Sequence, residues 1–302
     1  MAASEFDFFA QQDAARRATW RLLGLYVVAA AAVVGSYAGA AALVLPRPFV
    51  LPIALIVGGT IVLVSLARAW QLREGGPAVA YLLGARYVEP GRCTPDERRL
   101  VNVVEEMAIA SGIAVPPVYL LDREDAVNAL VAGHSPNEAA IIVTKGAVAK
   151  LSRDELQAVM GHEYSHILNG DMALNIRLTA VLAGLSWLGD RGEEIVWASA
   201  HRTRAAGARG KDESQAALGA MAGAIVAFVG FPGVFAADAI RAAISRQREL
   251  LADQASVQFT RNPDGIAGAL DSILATHSHT VVHASHASEL SHMFFAPAVS
   301  HW

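Results

Sequence analysis

Residues 152–170 read Ser-Arg-Asp-Glu-Leu-Gln-Ala-Val-Met-Gly-His-Glu-Tyr-Ser-His-Ile-Leu-Asn-Gly. Ser152 and Glu155 form a capping box, in which the serine hydroxyl and the glutamate carboxylate satisfy each other's backbone N–H groups. Gly170 supplies the residue that most readily closes a helix in the left-handed region. The spacing therefore predicts a helix to about Asn169. His162 and His166 stand one turn apart on a single face of it, close enough to hold one ion. Imidazole suits zinc, and a catalytic zinc site keeps three protein ligands and one open position. Glu163 lies between the two histidines, where its carboxylate can take a proton from water beside the ion. The blander reading is a helix with two core or surface histidines and an incidental glutamate. The independent support for the helix itself favours the metal.

The third ligand must come from elsewhere. The segment Ser245-Arg246-Gln247-Arg248-Glu249-Leu250-Leu251-Ala252-Asp253 again sets two carboxylates one helical turn apart. Glu249 is the candidate ligand. Asp253 is placed to accept the free ring N–H of His162 and so fix its tautomer. The competing reading is an exposed charged turn with Arg–Glu pairs.

Working outward, Thr94-Pro95-Asp96-Glu97 is a second capping box with proline at the first helical position. Leu100, Val101, Val104, Met107 and Ala108 give that helix its apolar face, and Gly112 ends it. Val118–Leu121, Ala129–Ala132 and Ala140–Thr144 read as short strands, the last two joined by a turn through Gly133, Ser135, Pro136 and Asn137.

The flanks have a different character. The chain has 302 residues, of which 54% are hydrophobic and only 17% charged. The formal net charge is −4 and the pI near 6.2. Disorder and a nucleic-acid partner are disfavoured by that balance. One cysteine, Cys93, leaves no internal disulfide and no cysteine-based metal cluster. Leu22–Leu45 and Phe49–Ala67 are free of charge, broken by Pro46-Arg47-Pro48, and each long enough to cross a bilayer. The rival reading of the first run is a cleaved signal peptide, but its apolar stretch is too long. Arg16, Arg17 and Arg21 precede the hairpin, and Arg68, Arg73, Arg86 and Arg92 follow it. The excess of arginine on both flanks predicts cytoplasmic ends. Trp20 and Trp70 read as interfacial anchors.

Ser214–Ala237 is a third apolar run. Leu178–Gly189 is shorter, and Asp190, Arg191, Glu193 and Glu194 follow it, which makes it a poor span by itself. Ligands on both sides of this interval must share one side of the membrane, so the chain crosses an even number of times. Either a second span lies between about Asn175 and Ala200, or both segments lie on the membrane surface with a break at Pro232-Gly233.

His162-Glu163-x-x-His166, Asn169 to Asp171, Asn128-Ala129, Leu151-Ser152 and Ser245-Arg-x-Arg-Glu-x-x-Ala-Asp253 together resemble the HtpX-type membrane zinc metalloproteases. These are gluzincins related to the CAAX prenyl-protein endopeptidases. The resemblance runs from about Val101 onward. It implies a mainly α membrane protein with a zincin-like α+β catalytic domain, that is, a small sheet beside the active-site helix. It implies one zinc ion per chain on His162, His166 and Glu249. Two membrane segments in the 173–240 interval are implied as well, although Asp190 to Glu194 depart from the usual pattern. Residues 1–75 are expected to form a cytoplasmic segment and a transmembrane hairpin. Residues 76–302 are expected to form the protease domain, interrupted by a membrane hairpin at about 173–240.

Peptide substrates of zinc peptidases commonly add a strand to a sheet edge. Asn128, Ala129, Leu130 and Val131 are the expected binding segment, with small side chains leaving the backbone accessible. The expected function is endoproteolysis at the cytoplasmic face of a bacterial-type inner membrane, in quality control of membrane proteins. A selective prenyl-protein-type processing protease and a catalytically silent zinc-stabilised adaptor are the alternatives. Protein substrates and the lipid bilayer are the expected partners, with no nucleic acid. Relatives share a late His-Pro motif followed by an arginine. It is not found before Trp302: either the chain is a piece of a longer protein, which is the expectation, or that stabiliser is missing or replaced. His277, His279, His283, His286 and His292 crowd the late segment without a common ligand face.

Overall fold

The computed structural model describes residues 8–205, 211–274, 281–284 and 286–296; within its helices, the side chains of 8–23, 200, 202–205, 211–216, 242–251 and 274 are not described. Helices α1 (Phe8–Val44), α2 (Val50–Gln71), α3 (Gly76–Leu82), α4 (Pro95–Ser111), α5 (Lys145–Lys150), α6 (Arg153–Asn169), α7 (Asp171–Ala205), α8 (Lys211–Thr260) and α9 (Pro263–Leu274) alternate with strands β1 (Arg86–Tyr87), β2 (Val118–Leu121), β3 (Ala129–Ala132) and β4 (Ala140–Thr144). The described residues fall into two compact units. One comprises Met1–Leu66 and Val181–Ile240, the other Ala67–Ala180 and Arg241–Trp302.

The second unit is built on a mixed sheet of order β1-β2-β4-β3. β2 runs parallel to β4, and the other pairs are antiparallel. Strand alternation sends successive side chains to opposite faces. Ala129, Val131, Ile141 and Val143 face a core shared with Leu100, Val104, Leu156, Met160 and Ile167 of α4 and α6. Leu130, Ala132 and Ile142 face a second core with Val79 and Ala80 of α3 and with Leu290, Met293 and Phe294. Both faces are thus covered, which explains why β3 and β4 are buried at every position.

Helix ends follow the sequence closely. The Thr94–Glu97 and Ser152–Glu155 capping boxes both form, and Gly112 and Gly170 close their helices at φ 72° and 71°. β1 was not expected. It is a two-residue strand held by Arg86, whose guanidinium reaches both Asp122 (2.8 Å) and Glu97 (2.5 Å). That cation lowers the carboxyl pKa of Asp122 and of Glu97 through its hydrogen bonds.

The first unit is helical. Four stretches are long and apolar enough to cross a membrane: Gly24–Val44, Arg47–Gln71, Asp171–Ser199 and Ala217–Arg241. The α7 stretch has the lowest mean hydropathy, 1.3, and 61% of its 18-residue apolar window is buried; the window of the α2 stretch, at 2.6, is only 11% buried. That enclosure does not extend to Asp190–Glu194, where Arg191, Glu193 and Glu194 are exposed. Part of that charge is settled locally, with Arg191 on Glu194 at 2.6 Å. Leu55, Leu63, Phe228 and Phe235 are exposed in the outer helices, the surface that lipid would cover.

α8 runs through Pro232 without interruption, so the break considered there does not occur. Glycine lets α7 and α8 approach. A Cβ on Gly192 would lie 2.2 Å from the Ala227 nitrogen, and one on Gly233 would lie 2.2 Å from the Leu185 carbonyl oxygen. Close small-residue packing of this kind replaces the hydrophobic effect as the adhesive between helices in lipid. Gly192→Val is expected to lower the thermal stability of the detergent-solubilised chain by about 1–3 kcal/mol through overpacking. Gly59→Ala, where a Cβ meets nothing within 4 Å, should not. Thermal unfolding of both variants checks this.

Candidate metal centre

α6 lies against α4, α9 and β3, and its core side is fixed by Tyr164. That ring is fully buried, its hydroxyl donates to the Val104 carbonyl (2.8 Å), and burial raises its pKa. α8 is fastened to the same helix at one close crossing. Ser256 Oγ donates to the Ala158 carbonyl at 2.6 Å, and the absent side chain of Gly161 makes room for Ser256. Asp253 stands one turn before Ser256 on that face of α8.

This crossing brings Asp253 Oδ1 to 3.0 Å from His162 Nδ1. His166 Nδ1 is met in turn by Asp171 Oδ2 at 3.3 Å. With each Nδ1–H donated to a carboxylate, each Nε2 keeps its lone pair. The two Nε2 atoms lie 3.2 Å apart. Two ligands at 2.0–2.1 Å from a shared ion, at a near-tetrahedral angle, stand about 3.3 Å apart. The donor chemistry and the spacing therefore fit a divalent ion. His162 and Glu163 are 2% and 1% exposed.

Glu249 lies one turn before Asp253 on α8, but its side chain lies outside the described residues. Among the described residues no group of three histidine, cysteine, aspartate or glutamate side chains converges as a metal site. Asp171 was given no role in the sequence reading. Its only signal there was its place directly after the Gly170 cap, inside the Asn169–Asp171 stretch.

The segment expected to be an open edge is not open. β3 is the last strand of the sheet, yet Ala129, Leu130 and Val131 are buried and Asn128 is 1% exposed. Residues 294–296 lie along it. Phe295 N–H donates to the Ala129 carbonyl at 2.8 Å, and Leu130 forms an antiparallel bridge with Phe294. The Asn128 side chain donates to the Ala296 carbonyl (2.9 Å) and accepts from the Ala296 N–H (3.0 Å). The expectation of accessible backbone groups is corrected accordingly: a distant piece of the same chain fills them. Phe295 also sets its ring edge-on to His162, with centroids 4.8 Å apart.

His292, just before this segment, is half-buried, with its ring on the Asn175 carbonyl (3.4 Å). Burial, reinforced by the nearby Arg241 charge, drops its pKa to about 4. His277 and His279 lie outside the described residues. His286 pairs with Glu289 at 3.0 Å.

Four helices long and apolar enough to cross a membrane, and a small sheet beside a helix carrying two facing imidazoles, are compatible with a membrane metalloprotease. The profile of Peptidase family M48 matches residues 95–295. Proteins named Protease HtpX homolog from two Streptococcus pneumoniae strains are each 35% identical to this chain over 265 residues, covering 88% of it and 83% of their own length. A Protease HtpX homolog from Streptococcus uberis is 34% identical over 188 residues, 62% of this chain and 61% of its own. The chain belongs to peptidase family M48 and is HtpX-like.

The His292 environment yields a pH prediction. Its folded pKa lies below the ordinary 6.5, so the unfolded chain binds the proton more readily. Stability is unaffected by this group above about pH 6.5. It falls as pH drops from there toward about 4, and the effect saturates below. The wild-type unfolding midpoint should fall more steeply over that window than that of His292→Gln, measured by thermal melts.

Proposed function

We propose that the chain is a zinc-dependent endopeptidase that cleaves membrane-protein segments at the cytoplasmic face of a bacterial-type inner membrane, in quality control. The observation that carries this is the pair of Nε2 atoms at 3.2 Å, each imidazole backed by a carboxylate. His162, His166 and Glu249 would hold one zinc ion. When bound, zinc supplies Lewis acidity, which lowers the pKa of water toward about 7 and polarises a carbonyl.

The chain's own residues do the rest. Asp253 and Asp171 hold the two Nδ1 atoms, keep each ring from rotating, and direct its Nε2 inward. Glu163, on the next position of the same helix, accepts the proton of the attacking water. It then delivers that proton to the leaving amine. Burial of Glu163 keeps bulk water from competing for the carboxylate. Asn128 and β3 bind the substrate backbone by strand addition.

The side of the membrane is argued from charge. Arg68, Arg73, Arg86 and Arg92 crowd the end of the second apolar stretch, where only Arg47 marks its start. Exposed apolar faces on α1, α2 and α8 support a bilayer-resident enzyme whose substrates reach it from the same lipid.

The test uses the full chain in detergent or liposomes with zinc added. Casein or membrane-protein cleavage should fall by about 10²–10⁴-fold in Glu163→Gln while bound zinc, measured by elemental analysis, stays near one ion per chain. Equal cleavage by both proteins removes Glu163 as the base. Glu249→Gln should lose zinc and activity together. Asp171→Asn and Asp253→Asn should each weaken zinc binding by about 10–100-fold with unchanged helix content by circular dichroism.

A further inference from the structure

We propose that residues Met293–Ala296 lie where a substrate backbone lies, as an internal pseudosubstrate. The groove's own preference can then be read from them: an extended apolar peptide with an aromatic side chain set against His162. The proposal rests on the reading of β3 as the substrate edge.

Three observations carry it. First, the contact has the form of peptide recognition. Phe295 N–H donates to Ala129, and Leu130 bridges Phe294 in antiparallel sense, which is how a guest strand joins a sheet edge. Asn128 closes two hydrogen bonds on the N–H and C=O of Ala296. Such a pair reads backbone alone, whatever the side chain. The asparagine is itself set for this by Thr144, whose Oγ1 accepts the Asn128 N–H at 2.9 Å.

Second, the contact is at the reactive end of the sheet. Of the two sheet edges, β3 and not β1 packs against α6. Phe295 crosses that boundary, with its ring edge-on to His162. Its neighbour Phe294 turns the other way, into the apolar cluster with Leu290 and Leu130. A guest strand that replaced this segment would place alternate side chains in the same two environments.

Third, the pairing is slight. It is an isolated bridge outside the named strands, not a ladder. A short pairing is the kind that a longer peptide, adding more rungs along Ala129–Ala132, can displace. While it is in place, β3 has its outward Ala129 carbonyl filled, so access for a substrate and departure of the strap are one event.

The experiment uses the full chain carrying Glu163→Gln in detergent micelles and a fluorescein-labelled peptide of sequence His-Met-Phe-Phe-Ala-Pro, matching 292–297. Anisotropy gives affinity, and amide hydrogen exchange of residues 129–132 gives location. Ala296→Pro removes the N–H that Asn128 accepts, and Phe295→Ala removes the ring on His162. Each should tighten peptide binding by at least about fivefold, because a self-occupied groove reduces apparent affinity by its closed fraction. The peptide should slow exchange at 129–132. A probe with aspartate in place of its second phenylalanine should bind at least about tenfold more weakly. Protection at 129–132 with equal or weaker binding to both strap variants overturns the pseudosubstrate and leaves the β3 edge standing. Binding without protection at 129–132 overturns the reading of β3 itself. If Ala296→Pro does not fold, Phe295→Ala decides alone.

Discussion

The two Nε2 atoms of His162 and His166 face each other across 3.2 Å. They are held in that relation because each ring is pinned from behind by a carboxylate, and both rings are pinned from below by one rigid helix. The whole second unit can be read as support for this pair. Its capping box sets the start of α6, Tyr164 bolts the helix to α4, and Ser256 bolts α8 to its other side. A divalent cation would take both nitrogens as ligands at the spacing the surrounding fold maintains.

Much of this was legible in the sequence because it is local. Capping boxes, C-cap glycines and the one-turn spacing of His162 and His166 depend on residues within a few positions of one another, and they fix α4 and α6 closely. The strands β2, β3 and β4 were readable because both sheet faces are buried, so the runs are continuously apolar. β1 was not, since a two-residue strand has no period to detect, and its place depends on Arg86 reaching Asp122 and Glu97. α7 was ambiguous because its buried apolar part is followed on the same helix by exposed charges, Arg191, Glu193 and Glu194.

The covering of the β3 edge was not legible. Small residues at 129–132 correctly mark a strand that other backbone can approach closely. Nothing local says that the approaching backbone comes from residues 294–296, more than 160 positions away in the chain. Asp171 was overlooked for the opposite reason. It is too near: directly after a helix cap it reads as the start of the next helix, which it also is. The glycines between α7 and α8 show the same limit. Their composition is visible, but the backbone they let in, such as Ala227 against Gly192, is not.

The two carboxylates behind the imidazoles stand on the helices that carry the later apolar stretches. Asp171 is the first residue of α7, and Asp253 lies on α8 some way past the apolar stretch ending at Arg241. Orientation of the rings and attachment to the bilayer are consequently written into the same two rods. A water-soluble version cannot be made by excising the hydrophobic stretches and rejoining the ends at will. The splice would have to restart one helix at Asp171 and resume the other early enough to present Asp253, or the pocket would be left with its rings unsteadied.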